Sequence, residues 1–360
     1  MTSPGPSAPC TPSVPSVPSD PSAPSVHVTS AGSALPGEPV DNTALAAALG
    51  VNEEWIDVFI GTRTRHFARD LTSGDIRWTL ADLCADAAAN ALENAGTDPA
   101  EVEFLVLGTA TPDHLMPATV NQVADQLGLD QLPTYQLQSG CAGAIQALSV
   151  ARHLIGSGEF TTGLAIGGDV CTKHLDLRRD LSEAAPGDLV NCVLFGDGAG
   201  AAVLSSRPGD RAVALRRVLN RCTGLGREPG QIIDWFGLAD RDEPRQALIE
   251  DYKAIEESVP TMAVEILWEL LDSLGWAAGD LDFLLPPQLS GRMTRLITEQ
   301  LGVPEAREIS CVAHTGNNGN ALPFLQLERL LREMTSGQKA LAVAVESSKW
   351  IKAGFALEHL

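Results

Sequence analysis

Thr134-Tyr-Gln-Leu-Gln-Ser-Gly-Cys-Ala-Gly-Ala-Ile-Gln-Ala-Leu148 changes character at its centre. Thr134 to Leu137 reads as a short strand, Ser139-Gly-Cys-Ala-Gly143 as a tight turn of small residues, and Ala142 to Ile155 as a helix. The same alternation extends both ways. Upstream lie a helix over Trp78 to Gly96, a buried strand over Phe104 to Thr109 and a helix over Asn121 to Leu127. Downstream, Gly163 to Gly167 reads as strand. Cys192 to Phe195 and Gly200 to Leu204 read as two strands split by a turn at 196–199. Strands alternating with helices imply an α/β protein whose parallel sheets are buried under helices.

The second half follows the same rhythm. Helix Val259 to Gly275, strand Leu281 to Leu285, helix Arg292 to Leu301, strand Ile309 to Val312, helix Leu322 to Met334 and strand Lys339 to Val345 follow in order. This implies an internal duplication with its seam at 205–212, giving units of 26–206 and 207–360. Residues 1–25 are dominated by Pro and Ser and read as a disordered tail. They lack the basic start and apolar run of a signal peptide. No apolar run reaches the length of a membrane span. The net charge of -21 argues against nucleic acid and anionic membrane surfaces as partners. Seven cysteines without a C-x-x-C pair argue against a disulfide framework or zinc site and fit a reducing cytoplasm.

Cys141 is the first candidate for chemistry. A helix N-terminus carries partial positive charge and unpaired N–H groups, which favour a thiolate and hold a developing oxyanion. The competing reading is a buried structural cysteine. His314, in the loop Ala313-His-Thr-Gly-Asn-Asn-Gly-Asn-Ala-Leu322, is the candidate base, or else a hydrogen-bonded loop histidine. Asn317 in that loop is placed to donate to a carbonyl, or to hold a turn. His114 follows a strand end and is a weaker candidate. His27, His66, His153, His174 and His359 read as fringe, surface, loop or terminal residues. Gly196-Asp-Gly-Ala-Gly200 lacks the Lys-Ser/Thr of a phosphate loop.

Together these segments resemble the type III ketoacyl-ACP synthases. Asn52-Glu-Glu-Trp-Ile56 with Gly61-Thr-Arg63 is similar to that family's entrance segment. Thr109-Ala-Thr-Pro-Asp113 is similar to the strand end ahead of its nucleophile strand. Ser139-Gly-Cys-Ala-Gly143 resembles its nucleophile turn, Phe195 to Leu204 its signature, and Gly316-Asn317 its Gly-Asn loop. The resemblance spans 27–360. It implies a five-layered αβαβα thiolase fold, two pseudo-repeated halves and a homodimer, with no metal and no bound cofactor.

Two departures bear on activity. Where the family has Pro-His-Gln-Ala-Asn, this chain has Pro286-Pro-Gln-Leu-Ser290, so proline replaces a catalytic histidine and offers no base. Val345-Glu-Ser-Ser-Lys-Trp350 replaces a run of three glycines. The combination resembles ketosynthase-like acyltransferases of natural-product, including polyketide and antibiotic, biosynthesis, in which Cys, His and an acid form a triad. That likeness implies Cys141 as nucleophile, His314 as base and Glu346 as the acid orienting it, with Asn317 on the thioester carbonyl. Trp55 would line the donor entrance. Phe59 stands where the family has an arginine, which favours an acyl carrier protein over coenzyme A. The expected reaction moves an acyl group through Cys141 to a hydroxyl or amine of a small-molecule acceptor. The alternatives are a decarboxylating condensing synthase and an inactive partner subunit.

Overall fold

The computed structural model describes residues 24–175, 177, 181–182, 186–209, 213–235 and 248–360. Almost all of the expected tail and part of the seam (210–212) lie outside the described residues.

The first half runs β1 (His27–Ala34), β2 (Val40–Asp41), α1 (Asn42–Leu49), α2 (Glu53–Phe59), β3 (Thr64–Arg65), α3 (Leu80–Ala95) and β4 (Leu105–Thr109). It continues through α4 (Thr119–Gln126), β5 (Thr134–Gln138), α5 (Gly143–Gly156), β6 (Thr162–Val170), α6 (Pro186–Leu194) and β7 (Asp197–Ser205). The second half contains β8 (Val213–Cys222), β9 (Gln231–Ile233), β10 (Leu248–Glu250), α7 (Tyr252–Leu274), β11 (Phe283–Leu285) and α8 (Gly291–Leu301). It ends with β12 (Arg307–Glu308), α9 (Val312–Thr315), α10 (Leu322–Glu333), β13 (Lys339–Glu346) and β14 (Ile351–His359).

Local chemistry sets the element starts. Asp41 accepts from the Ala44 N–H and caps α1; Thr79 and Asp82 exchange bonds in a capping box that opens α3. The large sheet runs β12-β11-β13-β14-β8-β1-β7-β6-β4-β5. Ranked within its own half, each set of strands lies in the order third, second, fourth, fifth, first. The halves meet where β1 pairs with β8.

Burial sorts these elements into five layers. α3 and α4 cover one face of the first half-sheet through Leu83, Ala87, Val123, Leu107 and Ile166. α5 and α10 fill the space between the half-sheets, where Ile145, Leu148, Phe324 and Leu327 meet Val106 and Ala342. α7 and α8 cover the far face through Ile266, Leu270, Ile297 and Leu341. The fold is thus the αβαβα thiolase arrangement. Among the described residues, no helix is long and apolar enough to cross a membrane.

Three expectations change. Cys192 and its neighbours end a helix, α6, and Asp197–Ser205 is one continuous buried strand, so 196–199 is not a turn. A short apolar run does not by itself distinguish helix from strand. The glycines serve close packing instead. A Cβ on Gly200 would sit 2.5 Å from Phe324 Cβ, and one on Gly196 2.5 Å from the Thr315 carbonyl oxygen. The strand expected at Ile309 to Val312 is displaced to Arg307–Glu308. Gln288 Oε1 accepts the Cys311 and Val312 N–H groups at 2.7 and 2.9 Å and starts α9 there. Finally, the β9–β10 ribbon and the long strands β8 and β14 have no counterpart in the sequence reading.

Candidate active site

The turn joining β5 to α5 is fixed from three sides. Gly143 N–H closes it on the Gly140 carbonyl at 2.8 Å. Asn320 Oδ1 accepts the Ala144 N–H at 2.9 Å, while its Nδ2 donates to the Ser139 carbonyl at 3.0 Å and to Asp169 Oδ2 at 2.9 Å. Buried Asp169 also accepts from the Ala110 and Asn320 N–H groups, both at 2.8 Å, and from the Thr109 and Thr111 hydroxyls. These bonds tie the ends of β4 and β6 to the turn carrying Cys141. Gly143 leaves room for Asn320, whose Oδ1 would lie 2.6 Å from a Cβ there.

Cys141 is half-buried, and its thiol is pushed up to about 12. Burial is the main cause, followed by the negative charges of Asp169, Glu346 and Glu250; its own backbone N–H acts weakly the other way. The expected thiolate-favouring effect of the helix N-terminus is therefore overturned. A partial charge of about one half does not outweigh desolvation plus three carboxylates. In this conformation the sulfur rests as a thiol.

Cys141 lines two cavities. Pro286, Pro287, Leu289, Asn317 and Gln326 line the first with Cys141. Cys171, His174, Gln231, Ile233 and Leu248 line the second with Cys141 and Asp169, around a volume of about 40 Å³. The β9–β10 ribbon roofs this second cavity: Gln231 and Ile233 point in, while Ile232 is 44% exposed. Trp235, just beyond β9, meets the His174 ring edge-on at 5.5 Å.

The expected triad is not assembled. α9 buries Val312 and Thr315, and helical spacing turns His314 to the opposite face, where it is exposed. Its ring lines neither cavity at Cys141; its carbonyl accepts from Thr64 Oγ1 at 2.6 Å. Glu346, buried at the end of β13, accepts from Ser139 Oγ at 3.0 Å and from Ser348 Oγ, and packs on Gly140. It serves the nucleophile turn rather than His314. Asn317 does share a cavity with Cys141. Its Nδ2 donates to the Leu289 carbonyl at 3.2 Å and its Oδ1 accepts from the Gly319 N–H at 3.0 Å. Trp55 stacks on Phe59 at 5.9 Å in a separate groove of about 630 Å³, lined also by Val51, Leu181 and Leu189.

Comparison with known proteins accounts for this arrangement. The pattern of 3-oxoacyl-(acyl-carrier-protein) synthase III matches residues 135–219, and that of its C-terminal region matches 271–347. A β-ketoacyl-(acyl-carrier-protein) synthase III from Rhizorhabdus wittichii is 32% identical over 307 residues, 85% of this chain and 90% of the relative. The chain belongs to the ketoacyl synthase III family. The solved structure of AbyA1, a tetronic acid condensing enzyme, is 58% identical with a TM-score of 0.90, covering 92% of this chain and 99% of that one. That of 3-oxoacyl-(acyl carrier protein) synthase III, FabH, from Pseudomonas aeruginosa is 29% identical with a TM-score of 0.80, covering 93% and 98%.

Pro287 gives the first cavity an apolar wall beside Asn317 and Cys141. Three residues of the site escaped the sequence reading. Asp169 and Asn320 carry no motif of their own, and their roles emerge only when β6 and the segment before α10 meet. His174, read as a loop residue, stands past β6, directly after the short turn Cys171–Lys173. Its position beyond the carboxyl end of a strand was the available signal, because ligands of α/β sheets gather there.

Proposed function

We propose that the protein is an acyltransferase-type ketoacyl synthase III. It moves an acyl group from a carrier-protein or coenzyme A thioester, through a Cys141 thioester, to a hydroxyl of a small acceptor. The observation carrying this reading is that Cys141 and Asn317 share one cavity whose neighbouring wall is the Pro287 ring. A thiol and a carbonyl-binding amide are retained, while the place of the family's enolate-stabilising histidine is taken by a side chain with no donor or acceptor.

The likeness to AbyA1 sharpens the acceptor class. A tetronic acid ring joins two acyl units through one carbon–oxygen and one carbon–carbon bond. In the proposed sequence, Cys141 Sγ takes a β-ketoacyl group and the donor thiol leaves. The hydroxyl of a 2-hydroxyacyl thioester then attacks; the ester forms and the Cys141 thiol is restored. The carbon between the two carbonyls, once deprotonated, attacks the acceptor's own thioester, closing the ring and releasing the second thiol. That carbon ionises without losing carbon dioxide, so the missing histidine costs this reaction nothing. The reaction draws on no bound cofactor.

Phe59 in place of the family's arginine favours a carrier protein as donor. The open edge of β5 and the exposed Leu115 and Met116 suit contact with a second copy, as a homodimer requires. Incubation with a β-ketoacyl carrier protein and a 2-hydroxyacyl carrier protein tests the scheme. Ring product without carbon dioxide release is expected. Carbon dioxide release from a malonyl thioester with carbon–carbon bond formation would instead establish the condensing alternative.

A further inference from the structure

The His174 ring lines the cavity that contains Cys141, and its Nε2 is buried with no hydrogen-bond partner among the described residues. A buried, unpaired ring nitrogen is costly and calls for an explanation. The ring is also held in place. His174 N–H donates to the Cys171 carbonyl at 3.0 Å, and the preceding Lys173 is pinned by the Thr111 carbonyl and Asp113 Oδ1 at 2.7 and 2.8 Å. Asp197 anchors the same turn through the Thr172 N–H and hydroxyl at 3.1 and 2.6 Å. Trp235 packs against the ring edge from above.

We propose that His174 is the catalytic base of this enzyme, taking the proton of the Cys141 thiol during loading and that of the acceptor hydroxyl during release. This rests on the acyl-transfer reading above. In the first half-reaction Cys141 Sγ bonds to the donor carbonyl carbon as its proton passes to His174 Nε2. The donor C–S bond then breaks and the departing sulfur takes that proton. In the second, the acceptor oxygen bonds to the carbonyl carbon, its proton passes to Nε2, and Cys141 leaves and is reprotonated. The charged and titratable groups around the imidazole are Lys173 beside it, Asp169, Cys141 and Cys171 on the cavity wall, and Glu250 on the roof. Burial and Lys173 keep the resting imidazole neutral but also lower its basicity, so the assignment stands on the placement of the unpartnered Nε2 in the cavity that Cys141 lines.

The test is single-turnover loading of Cys141 from an acetyl- and a β-ketoacyl-carrier protein, read by intact mass. His174→Gln and His174→Asn are expected to slow loading about 10²- to 10³-fold. Added imidazole should restore part of the rate to His174→Ala, a rescue that a merely structural residue would not allow. His314→Gln should load at the unsubstituted rate. Loading by His174→Gln at the unsubstituted rate would overturn the assignment while leaving the acyl-transfer reading intact; absence of any adduct on the unsubstituted enzyme would instead remove that reading. Should the variants fail to fold, the ¹⁵N shift of the His174 ring in the unsubstituted enzyme decides. It is expected to move when Cys141 is acylated, and an unmoved signal contradicts the role.

Discussion

Glu346 Oε2 accepts a hydrogen bond from Ser139 Oγ at 3.0 Å, so the end of β13 in the second half holds the nucleophile turn of the first. The carboxylate also lies against Gly140, where a Cβ would stand 2.8 Å from Glu346 Cγ. Gly140→Ala is therefore expected to cost about 1–3 kcal/mol of stability, as overpacking does. Loading of Cys141 should also fall, about tenfold for each roughly 1.4 kcal/mol by which the displaced turn raises the barrier. Glu346→Ala in the same chain should recover part of both losses, since the two side chains share one space. Thermal melting and loading rates of the two single variants and the double variant provide the check; strict additivity would show that the contact does not matter.

The resting thiol has a consequence for alkylation. With Cys141 near about 12, its thiolate fraction grows about tenfold per pH unit throughout the neutral and mildly alkaline range. Iodoacetamide modification of Cys141, resolved by peptide mass spectrometry from that of the exposed Cys222, should rise without a plateau from pH 7 to 10. A plateau near pH 7 would indicate a preformed thiolate and contradict the electrostatics described here.

A cavity of about 40 Å³ holds about one water, far less than an acyl chain. Binding a chain there requires the β9–β10 roof to shift. Ile233→Trp, which adds bulk to the roof, should slow loading of a long acyl group by about tenfold or more while slowing acetyl loading little. Equal effects on both donors would place the chain elsewhere.

His174 links the site to stability. Its pKa of about 4 in the folded chain lies below the usual 6.5, owing first to burial and then to Lys173. Between these values the unfolded chain binds the extra proton, so stability present above pH 6.5 is lost as pH falls toward 4. His174→Gln lacks this term. The melting temperature of the unsubstituted protein should therefore drop relative to that of the variant between pH 7 and 4.5. A constant difference would mean that His174 titrates normally.

Much of this architecture is written in local patterns. The turn around Cys141 shows as a change of period, and the buried strand at 105–109 as a short apolar run. The duplicated order of elements is visible because each half repeats the alternation of helix and strand. What stayed hidden depends on tertiary contact. Gly196 to Gly200 resembles a turn, and only the close approach of Thr315 to Gly196 and of Phe324 to Gly200 shows that its glycines serve packing at the start of β7. In sequence His314 reads as the candidate base and His174 as a loop residue. Only the face of α9 buried by Val312 and Thr315 turns one outward, and only the β9–β10 ribbon encloses the other. Glu346 and Asn320 act on residues more than 170 positions away, beyond the reach of spacing arguments.

The most direct measurement of the central claim is intact-mass and peptide mapping of the enzyme after exposure to a β-ketoacyl carrier protein. The account predicts one acyl adduct, on Cys141, absent from Cys141→Ala and discharged on addition of a 2-hydroxyacyl carrier protein. An adduct that persists in Cys141→Ala, or an unmodified Cys141 in an enzyme that still forms product, would contradict it.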